Sequence, residues 1–464
     1  MKPTVRQQLD RRDFFRSVGT AAGAAVAASA VAPGEARAEE AAALVQANVR
    51  RASEPSALQI TDLRVAVVAG APMTCPLIRI DPNQGISGYG EVRDGASEVY
   101  ALALKARLLG EYPCNVDRIF RRIKQFGGHA RQGGGVCGVE MALMDLAGKA
   151  WAVPCWQLLG GKFRDRVRLY ADTTQSRDPK EQGLKLKARM DAGITYLKQD
   201  FGIGLLRDVP GTLSMPIGMD IRQNARVMHP FTGVEITDRG IEWLSNWVGQ
   251  VREVIGMEVP LSSDHYGHIS VNSCIKLARA MELWNLAWME DMVPWQFGEL
   301  TKQIRDSTTV PILTGEDIYL KEDFNKLVAM GAVDMIHPDL ATSGGLIETK
   351  KIGDFAMEHG VAMALHFAGT PVSFIANVHC AAATENFIAL EHHSVDVAWW
   401  EQMVTPTATG HTLVDRGFAQ VPDSPGLGVE LNEAVVREHL REGTEYFAPT
   451  PEWDQIRSND RLWS

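Results

Sequence analysis

The 464-residue sequence has few cysteines, no long uncharged apolar run in its mature part, and no concentration of basic residues. No stretch after the N-terminal region reaches 18 uncharged apolar residues, which excludes a membrane-spanning helix there. The cysteines form no Cys-x-x-Cys pair and are too sparse for a disulfide-stabilised scaffold. We expect buried free thiols for most of them, and whether any two pair stays open. They are Cys75, Cys114, Cys137, Cys155, Cys274 and Cys380.

The balance of charge is acidic, with a formal net charge of −10. Proteins that bind nucleic acid carry a basic patch, so the sequence excludes nucleic acid as a partner. A hydrophobic fraction of 45% and a charged fraction of 22% are ordinary for a globular enzyme. The length suffices for a barrel and a second domain.

Residues 1–38 have the pattern of a twin-arginine export signal. Arg11-Arg12 precede Phe14-Phe15, an Ala/Gly-rich apolar stretch follows, and Ala36-Arg37-Ala38 is a small-x-small cleavage site. The twin-arginine export machinery carries folded proteins. We therefore predict a mature protein in the periplasm of a bacterium, with no membrane insertion after processing.

Three acidic residues each follow a short apolar run of strand type. They are Asp264 in LSSD, Glu290 in LAWME and Glu316 in PILTGE, and each lies 26 residues from the next. Helix-like sequence fills the gaps. A strand, a helix and their loops take about this length, so the pattern predicts successive βα units of a parallel barrel.

The same period continues through Asp339 in MIHPD, His366 in VAMALH and Glu391 in FIALE, at intervals of 23, 27 and 25 residues. One acid after a strand is usually a helix cap, but six polar residues in phase indicate a shared site. The C-terminal ends of barrel strands converge on one mouth, where the active site of a (β/α)₈ barrel lies. The first three acids form an all-oxygen set that suits Mg²⁺.

Four motifs resemble the enolase superfamily, most closely the mandelate racemase subgroup and, within it, the acid-sugar dehydratases. They are GISGYGE, MALMDLAGKAWAVPCWQLLGG, the set Asp264/Glu290/Glu316, and Asp339 with His366. The resemblance covers about residues 58–440. It implies an Mg²⁺ cofactor, a small-molecule carboxylate substrate such as a sugar acid, and a homo-oligomer, either a dimer or an octamer.

The fold class predicted on these grounds is α/β, a (β/α)₈-type (modified TIM) barrel with an α+β N-terminal capping domain completed by the C-terminal segment. A linker at 39–57 precedes the capping domain at 58–165. The barrel follows at 166–410, with a long insertion at 205–259. The segment 411–464 returns to the capping domain.

The resemblance also assigns roles at the mouth. Mg²⁺ on the three acids would stabilise an enediolate, the anion left when the proton α to a carboxylate is removed. His366 would be the base and Asp339 would fix its tautomer. Glu391 would contact the substrate carboxylate or a metal-bound water, and Lys198 would neutralise that carboxylate. We interpret His337 as structural.

The second strand departs from the racemases, which carry Lys-x-Lys. Here the motif is Lys198-Gln199-Asp200, so Asp200 stands where a second base is expected. Dehydratases place a histidine two residues after the third-strand Asp, whereas this chain reads Asp264-His265-Tyr266-Gly267-His268. Strand alternation favours Tyr266 as the acid that protonates a departing hydroxide, with His268 next. His265 is interpreted as a packing residue.

The function predicted is an Mg²⁺-dependent lyase that converts a sugar acid to a 2-keto-3-deoxy acid. One alternative is an epimerase, racemase or cycloisomerase that uses Asp200 or Lys198 as a second base. Another is a catalytically silent periplasmic binding protein, although a positioned base has no purpose in a binder.

Overall fold

The computed structural model describes residues 57–217, 221–264, 269–408, 410 and 412–456. The predicted signal at 1–38 and nearly all of the predicted linker at 39–57 lie outside these ranges. Within them, no helix combines the length and the apolar character that a bilayer crossing requires. The six cysteines are all buried and unpaired, as predicted for most of them.

The N-terminal unit begins with an antiparallel meander of strands β1 (Ile60–Val68), β2 (Cys75–Pro82) and β3 (Gly88–Glu91). Its helices are α1 (Val99–Leu102), α2 (Lys105–Leu108), α3 (Val116–Ile123), α4 (Gly134–Trp151) and α5 (Cys155–Leu158). Helix α4 packs closely on β3 because Gly88 and Gly90 have no side chain on the face that meets the helix. A Cβ atom on Gly90 would lie 2.0 Å from the carbonyl oxygen of Gly138.

Eight parallel strands then form a closed barrel, which confirms the predicted fold. They are β4 (Arg166–Ala171), β5 (Leu197–Asp200), β8 (Leu261–Asp264), β9 (Met289–Glu290), β10 (Ile312–Thr314), β11 (Met335–Ile336), β12 (Ala362–Leu365) and β13 (Phe387–His392). The strands pair in chain order, and β13 pairs with β4 to close the barrel. Their C-terminal ends therefore meet at one mouth.

Helices surround the barrel, and several of them begin at a side-chain cap. The surrounding helices are α6 (Pro179–Asp191), α9 (Asp238–Ile255), α10 (Val271–Met281), α11 (Gly298–Arg305), α12 (Lys321–Met330), α13 (Leu340–Ser343), α14 (Gly345–Glu358) and α15 (Pro371–Ala383). Asp178 accepts a hydrogen bond from the Lys180 N–H at 2.9 Å, and Pro179 opens α6. Thr237 caps α9 in the same way through Gly240. Side-chain oxygens thus satisfy N–H groups that a helix start leaves unpaired.

The long connection predicted at 205–259 contains helix α9 as well as irregular sequence. Before α9 lie a small hairpin, β6 (Leu213–Ser214) with β7 (Glu235–Ile236), and two short helices, α7 (Ile221–Ala225) and α8 (Pro230–Gly233). The additional part is therefore the hairpin with its loops, whereas α9 is a regular barrel helix that packs on α6.

The C-terminal segment contacts both the barrel and the N-terminal unit. It contains β15 (Val414–Asp415), β16 (Phe418–Gln420), β17 (Val429–Leu431) and α16 (Glu433–Glu438), and β17 pairs with β14 (Val404–Pro406), which precedes the segment. Strand β16 pairs antiparallel with barrel strand β4. Further along, the Arg441 N–H donates to the Val67 carbonyl at 2.7 Å, and Asp454 lies 2.7 Å from Lys105 Nζ.

Two buried carboxylates dock the N-terminal unit on the barrel. Glu140 of α4 accepts hydrogen bonds from the N–H groups of Leu346 and Ile347, at 2.7 and 3.0 Å, at the start of α14. Glu91, the last residue of β3, accepts from the Thr370 N–H at 3.0 Å at the start of α15. Helix starts carry unpaired N–H groups and a partial positive charge, so a carboxylate is a stabilising partner. This docking places the N-terminal unit beside the barrel mouth.

Candidate active site

The three acids predicted as metal ligands lie at the C-terminal ends of neighbouring strands. Asp264 ends β8, Glu290 ends β9, and Glu316 lies two residues beyond β10. Asp264 and Glu290 share the buried ammonium of Lys198, whose Nζ atom lies 2.8 Å from Asp264 Oδ2 and 3.3 Å from Glu290 Oε2. Glu316 instead faces His366. The three carboxylates border one site, where two of them share Lys198 and the third contacts His366.

His366 and Asp339 form a buried dyad on adjacent strands. The two residues are bridge partners in the parallel pairing beyond β11 and β12. The His366 Nδ1–H donates to Asp339 Oδ2 at 2.6 Å, and Asp339 Oδ1 accepts from the Ala341 N–H at 2.6 Å. Because both carboxylate oxygens are engaged, Asp339 fixes the imidazole tautomer and leaves Nε2 directed at the mouth. His366 Nε2 lies 3.2 Å from Glu316 Oε2 and 3.8 Å from Glu391 Oε2.

The surrounding carboxylates favour the charged form of this histidine. Burial on its own opposes that form, but Glu316, Glu391 and Asp339 together raise the pKa of His366 to about 10. A bound cation that neutralised Glu316 would act in the opposite direction. The basic Nε2 that proton abstraction requires is therefore linked to the charge on Glu316.

Lys198 lies beneath the mouth, fully buried among acids. Its Nζ atom is also 3.0 Å from Glu391 Oε1. Burial opposes its charge, but Asp264, Glu290 and Glu391 raise the pKa of Lys198 well above the ordinary value. Burial likewise opposes the charge on Glu391, yet Lys198 lowers its pKa to about 2. Lys198 is therefore held as a fixed positive charge and is poorly suited to accept a proton.

His337, interpreted as structural, connects two of the predicted site residues. Its Nδ1 atom lies 2.7 Å from Glu290 Oε1, and its Nε2 atom lies 2.6 Å from the hydroxyl of Tyr170. That hydroxyl donates to Glu391 Oε2 at 3.1 Å. Burial and the nearby Lys198 lower the pKa of His337 to about 3, so the ring is neutral. His337 thus supports the site from below.

The donor set fits a hard divalent cation. Among the described residues, ligand atoms of Glu290, Glu316 and His337 lie within 4.8 Å of one another. Asp264, at the end of the neighbouring strand β8, adds a third carboxylate beside these groups. Burial, and then the Asp264 charge, raise the pKa of Glu290 well above its ordinary value. Such a surplus of buried carboxylates is stabilised by a cation, and oxygen donors are those that Mg²⁺ prefers.

A polar cavity of about 140 Å³ opens above these groups. The N-terminal unit contributes Met73, Arg93, Asp94 and Arg131, and the barrel contributes Asp172, Lys198, Asp200, Asp264, Glu316, His366, Ala368, Glu391 and His393. The cavity thus brings together the predicted base, Lys198, Glu391, Asp200 and two of the predicted ligands. Tyr266 and His268, with the packing residue His265, lie outside the described part of the chain.

Sequence reasoning missed several cavity residues. Arg93 lies two residues after the GISGYGE motif, and the charged pair that it forms with Asp94 after a strand was the available signal. His393 lies two residues after Glu391, and its Nε2 atom is 3.3 Å from Asp172 Oδ2. Strand alternation from Glu391 could have indicated His393, whereas no local pattern indicates its partner Asp172, the residue that follows β4.

The fold and the site define a barrel enzyme class that combines a histidine–aspartate dyad with a carboxylate cluster. Sequence comparison agrees. Residues 187–435 match the family model described as enolase C-terminal domain-like, and residues 46–160 match the mandelate racemase / muconate lactonizing enzyme N-terminal domain. The chain belongs to the mandelate racemase / muconate lactonizing enzyme family of the enolase superfamily.

Individual relatives are similar over most of their length. D-xylonate dehydratase of Haloferax volcanii is 32% identical over 400 residues, which cover 84% of this chain and 90% of that protein. D-galactonate dehydratase of Verminephrobacter eiseniae is 28% identical and covers 84% of this chain and 96% of its own. The crystal structure of a mandelate racemase/muconate lactonizing enzyme-like protein from Rubrobacter xylanophilus superposes with a TM-score of 0.74 at 32% identity. The match covers 85% of this chain and all of that one.

Proposed function

We propose that the protein is an Mg²⁺-dependent acid-sugar dehydratase, a hydro-lyase that yields a 2-keto-3-deoxy acid. The observation that carries the proposal is the position of His366 Nε2, which an Asp339-bound imidazole directs into a cavity that also contains Lys198 and Glu391. The names of the relatives support it, since they are D-xylonate and D-galactonate dehydratases. Enzymes of the superfamily typically bind Mg²⁺.

Each of the buried side chains would have its own role in proton removal. A divalent cation held by Asp264, Glu290 and Glu316 would supply Lewis-acid stabilisation of the substrate carboxylate. Neutral His366 takes the α-proton on Nε2, while Asp339 retains the Nδ1–H and stabilises the imidazolium. Lys198 offsets negative charge that develops on the carboxylate as the enediolate forms.

Elimination then breaks the bond between the β-carbon and its hydroxyl oxygen. The electron pair of the enediolate forms the carbon–carbon double bond, and the departing hydroxide takes a proton from an acid to leave as water. The resulting enol tautomerises to the 2-keto-3-deoxy acid. We propose Tyr266 as this acid, with His268 as the second choice.

A 1,1-proton transfer is the second candidate, and the position of Asp200 favours it. Asp200 lines the same cavity from β5, while His366 lies beyond β12, on the far side of the barrel. An epimerase, racemase or cycloisomerase would use Asp200 as a base on the opposite face of the α-carbon. Lys198 is a weaker choice because three carboxylates hold it protonated.

Proton NMR in D₂O distinguishes these activities. The protein with Mg²⁺ would be incubated with D-xylonate, D-galactonate and other pentonates and hexonates, alongside His366→Asn. We expect a new methylene at carbon 3 and a 2-keto product, both absent from the variant. Exchange at carbon 2 without elimination would instead support an epimerase and make Asp200→Asn the next variant. Ligand-dependent thermal stabilisation without any turnover would support a binding protein.

We also propose export by the twin-arginine pathway to the periplasm and assembly as a dimer or octamer. The pair Arg11-Arg12 and the site at Ala36–Ala38 support export. Replacing both arginines by lysine should retain the unprocessed chain in the cytoplasm of a bacterial host. Periplasmic delivery of that variant would contradict the proposal. Light scattering of the mature protein measures the assembly.

A further inference from the structure

Arg93 is a buried cation that the N-terminal unit inserts into the barrel mouth. It lies two residues after β3, and its side chain is 1% exposed. Helix α4 fixes its backbone from behind, because a Cβ atom on Gly134 would lie 2.5 Å from the Arg93 backbone nitrogen. The glycine run of QGGGVCG therefore brings α4 close enough to hold Arg93 at the mouth.

The guanidinium contacts the predicted base system and a predicted metal ligand together. Arg93 Nη1 lies 2.7 Å from Asp339 Oδ2, the same oxygen that accepts from His366. Arg93 Nη2 donates to Glu316 Oε1 at 3.4 Å, and Nη1 donates to the Glu316 carbonyl at 3.2 Å. Two partners beside the mouth hold the guanidinium itself, with Thr342 Oγ1 at 3.0 Å from Nη1 and Asp94 Oδ1 at 2.7 Å from Nε.

These contacts close a ring of four charged side chains. Starting from Arg93, the ring passes through Asp339 to His366 Nδ1, then from His366 Nε2 to Glu316 Oε2 at 3.2 Å, and back to Arg93 through Glu316 Oε1. A planar guanidinium presents separate N–H groups in a rigid fork to its two carboxylates, whereas the ammonium of lysine is a single rotating point charge on a flexible stem and sets their relative positions less strictly. The ring therefore fixes the distance between the base and Glu316.

We propose that Arg93 is a positioning residue that sets the direction of His366 Nε2 relative to Glu316. This proposal rests on the function proposed above, in which Nε2 removes the α-proton. In this arrangement Arg93 contacts Asp339 and Glu316 rather than His366 itself. It acts through Asp339 and Glu316, and it makes proton abstraction in the barrel depend on a residue of the N-terminal unit.

The test compares Arg93→Lys with Arg93→Met in α-proton exchange and dehydration. Arg93→Lys keeps the charge but replaces the rigid fork of N–H donors with one freely rotating ammonium. We expect its kcat for both reactions to fall about 10²-fold, as a misdirected base predicts, with KM changed less than about threefold. The kcat of Arg93→Met should fall further, so that lysine at this position restores part of the activity. An unchanged kcat in Arg93→Lys overturns the proposal.

Lys105→Met is the matched control for loss of stability. Lys105 is a buried cation of the same unit, and its partners Asp62 and Asp454, each at 2.7 Å, lie away from the cavity. We expect a lower melting temperature with unchanged kcat. If Lys105→Met loses as much kcat as Arg93→Lys at an equal drop in melting temperature, the effect of Arg93 is one of general stability and the proposal is wrong.

Crystal structures of the Mg²⁺-loaded wild type and Arg93→Lys separate this proposal from the proposed function. We expect the variant to show a displaced His366 ring and a changed His366–Glu316 separation, whether or not any sugar acid is turned over. An unmoved dyad in the variant overturns the positioning role. A wild type that binds Mg²⁺ yet exchanges no α-proton from any sugar acid overturns the proposed function alone.

Discussion

The Nδ1 atom of His366 lies 2.6 Å from Asp339 Oδ2, and this oxygen also contacts Arg93. The carboxylate therefore decides which imidazole nitrogen carries the proton. Replacing Asp339 by Asn should leave the fold intact and permit the wrong tautomer. We expect α-proton exchange and dehydration to fall by about 10²- to 10⁴-fold. Equal activity of Asp339→Asn and wild type would contradict the role of the dyad.

Metal removal gives a second prediction. Chelation with EDTA should abolish dehydration, and Mg²⁺ should restore it. By titration calorimetry we expect Glu290→Gln to bind Mg²⁺ at least about tenfold more weakly, because a carboxylate oxygen is lost from the donor set. Glu282→Gln is the control, since Glu282 is a surface acid that binds Thr308 and Thr309. Unaltered Mg²⁺ affinity in Glu290→Gln would remove that residue from the ligand set.

Lys198 offers a test of the charge balance beneath the mouth. Lys198→Met leaves Asp264, Glu290 and Glu391 without their shared cation, which costs about 3–5 kcal/mol for an unpaired buried charge. We expect saturating Mg²⁺ to recover most of this loss, as measured by thermal melting with and without the metal. Lys149→Met, which breaks a pair with Asp145 outside the cavity, should show no such recovery. Equal recovery in both variants would contradict the prediction.

The docking contact between Glu140 and helix α14 predicts that one methyl group added at Gly345 strongly destabilises the fold. Gly345 has φ of +81°, and its Cβ atom would lie 2.0 Å from Glu140 Oε2. Gly345→Ala should lower the free energy of unfolding by about 2–4 kcal/mol, from left-handed strain and a displaced cap. Gly360 has a similar φ of +69°, but a Cβ atom there would meet open space. Gly360→Ala should therefore lose only the stability that the left-handed strain costs. Urea unfolding measures both, and equal losses would exclude the clash.

His379 predicts a loss of stability in acid. The Trp156 N–H donates to its Nδ1 at 3.3 Å, and its Nε2–H donates to the Leu427 carbonyl at 3.1 Å. Burial lowers the pKa of His379 from 6.5 to about 4. Below pH 6.5 His379 therefore binds a proton in the unfolded chain, whereas in the folded chain it does so only near pH 4. Stability from this group is present above pH 6.5 and falls by about 3 kcal/mol towards pH 4.

Thermal melting between pH 8 and pH 5 measures this effect. We expect His379→Gln to melt at a lower temperature than the wild type at pH 8 and to lose less on acidification. Parallel curves for the two proteins across this range would show that His379 does not contribute.

The barrel and the positions of six polar residues could be predicted because the βα period is local in the chain. Each of Asp264, Glu290 and Glu316 ends its own repeat, and strand topology then brings them together. Arg93 could not be found in this way. It reaches Glu316 across 223 residues, through a docking of the two units to which Glu91 and Glu140 contribute.

The contacts of His337, which was interpreted as structural, could not be predicted for a related reason. Its position two residues before Asp339 indicates a buried side chain, and the structure shows that it is fully buried. What it contacts depends on Tyr170, which is 167 residues away on β4. The boundaries predicted for the domains stay predictions, and so do the roles assigned to the site residues, which the experiments above can test.

The carboxylates of Glu91 and Glu140 have a consequence for how such proteins can be recombined. Each belongs to the N-terminal unit, yet each completes the first turn of a barrel helix beside the dyad. A chimera that joins this barrel to an N-terminal unit without carboxylates at these two positions would leave two helix starts without their partners. Crossovers should therefore succeed only when the strand that replaces β3 and the helix that replaces α4 supply both carboxylates.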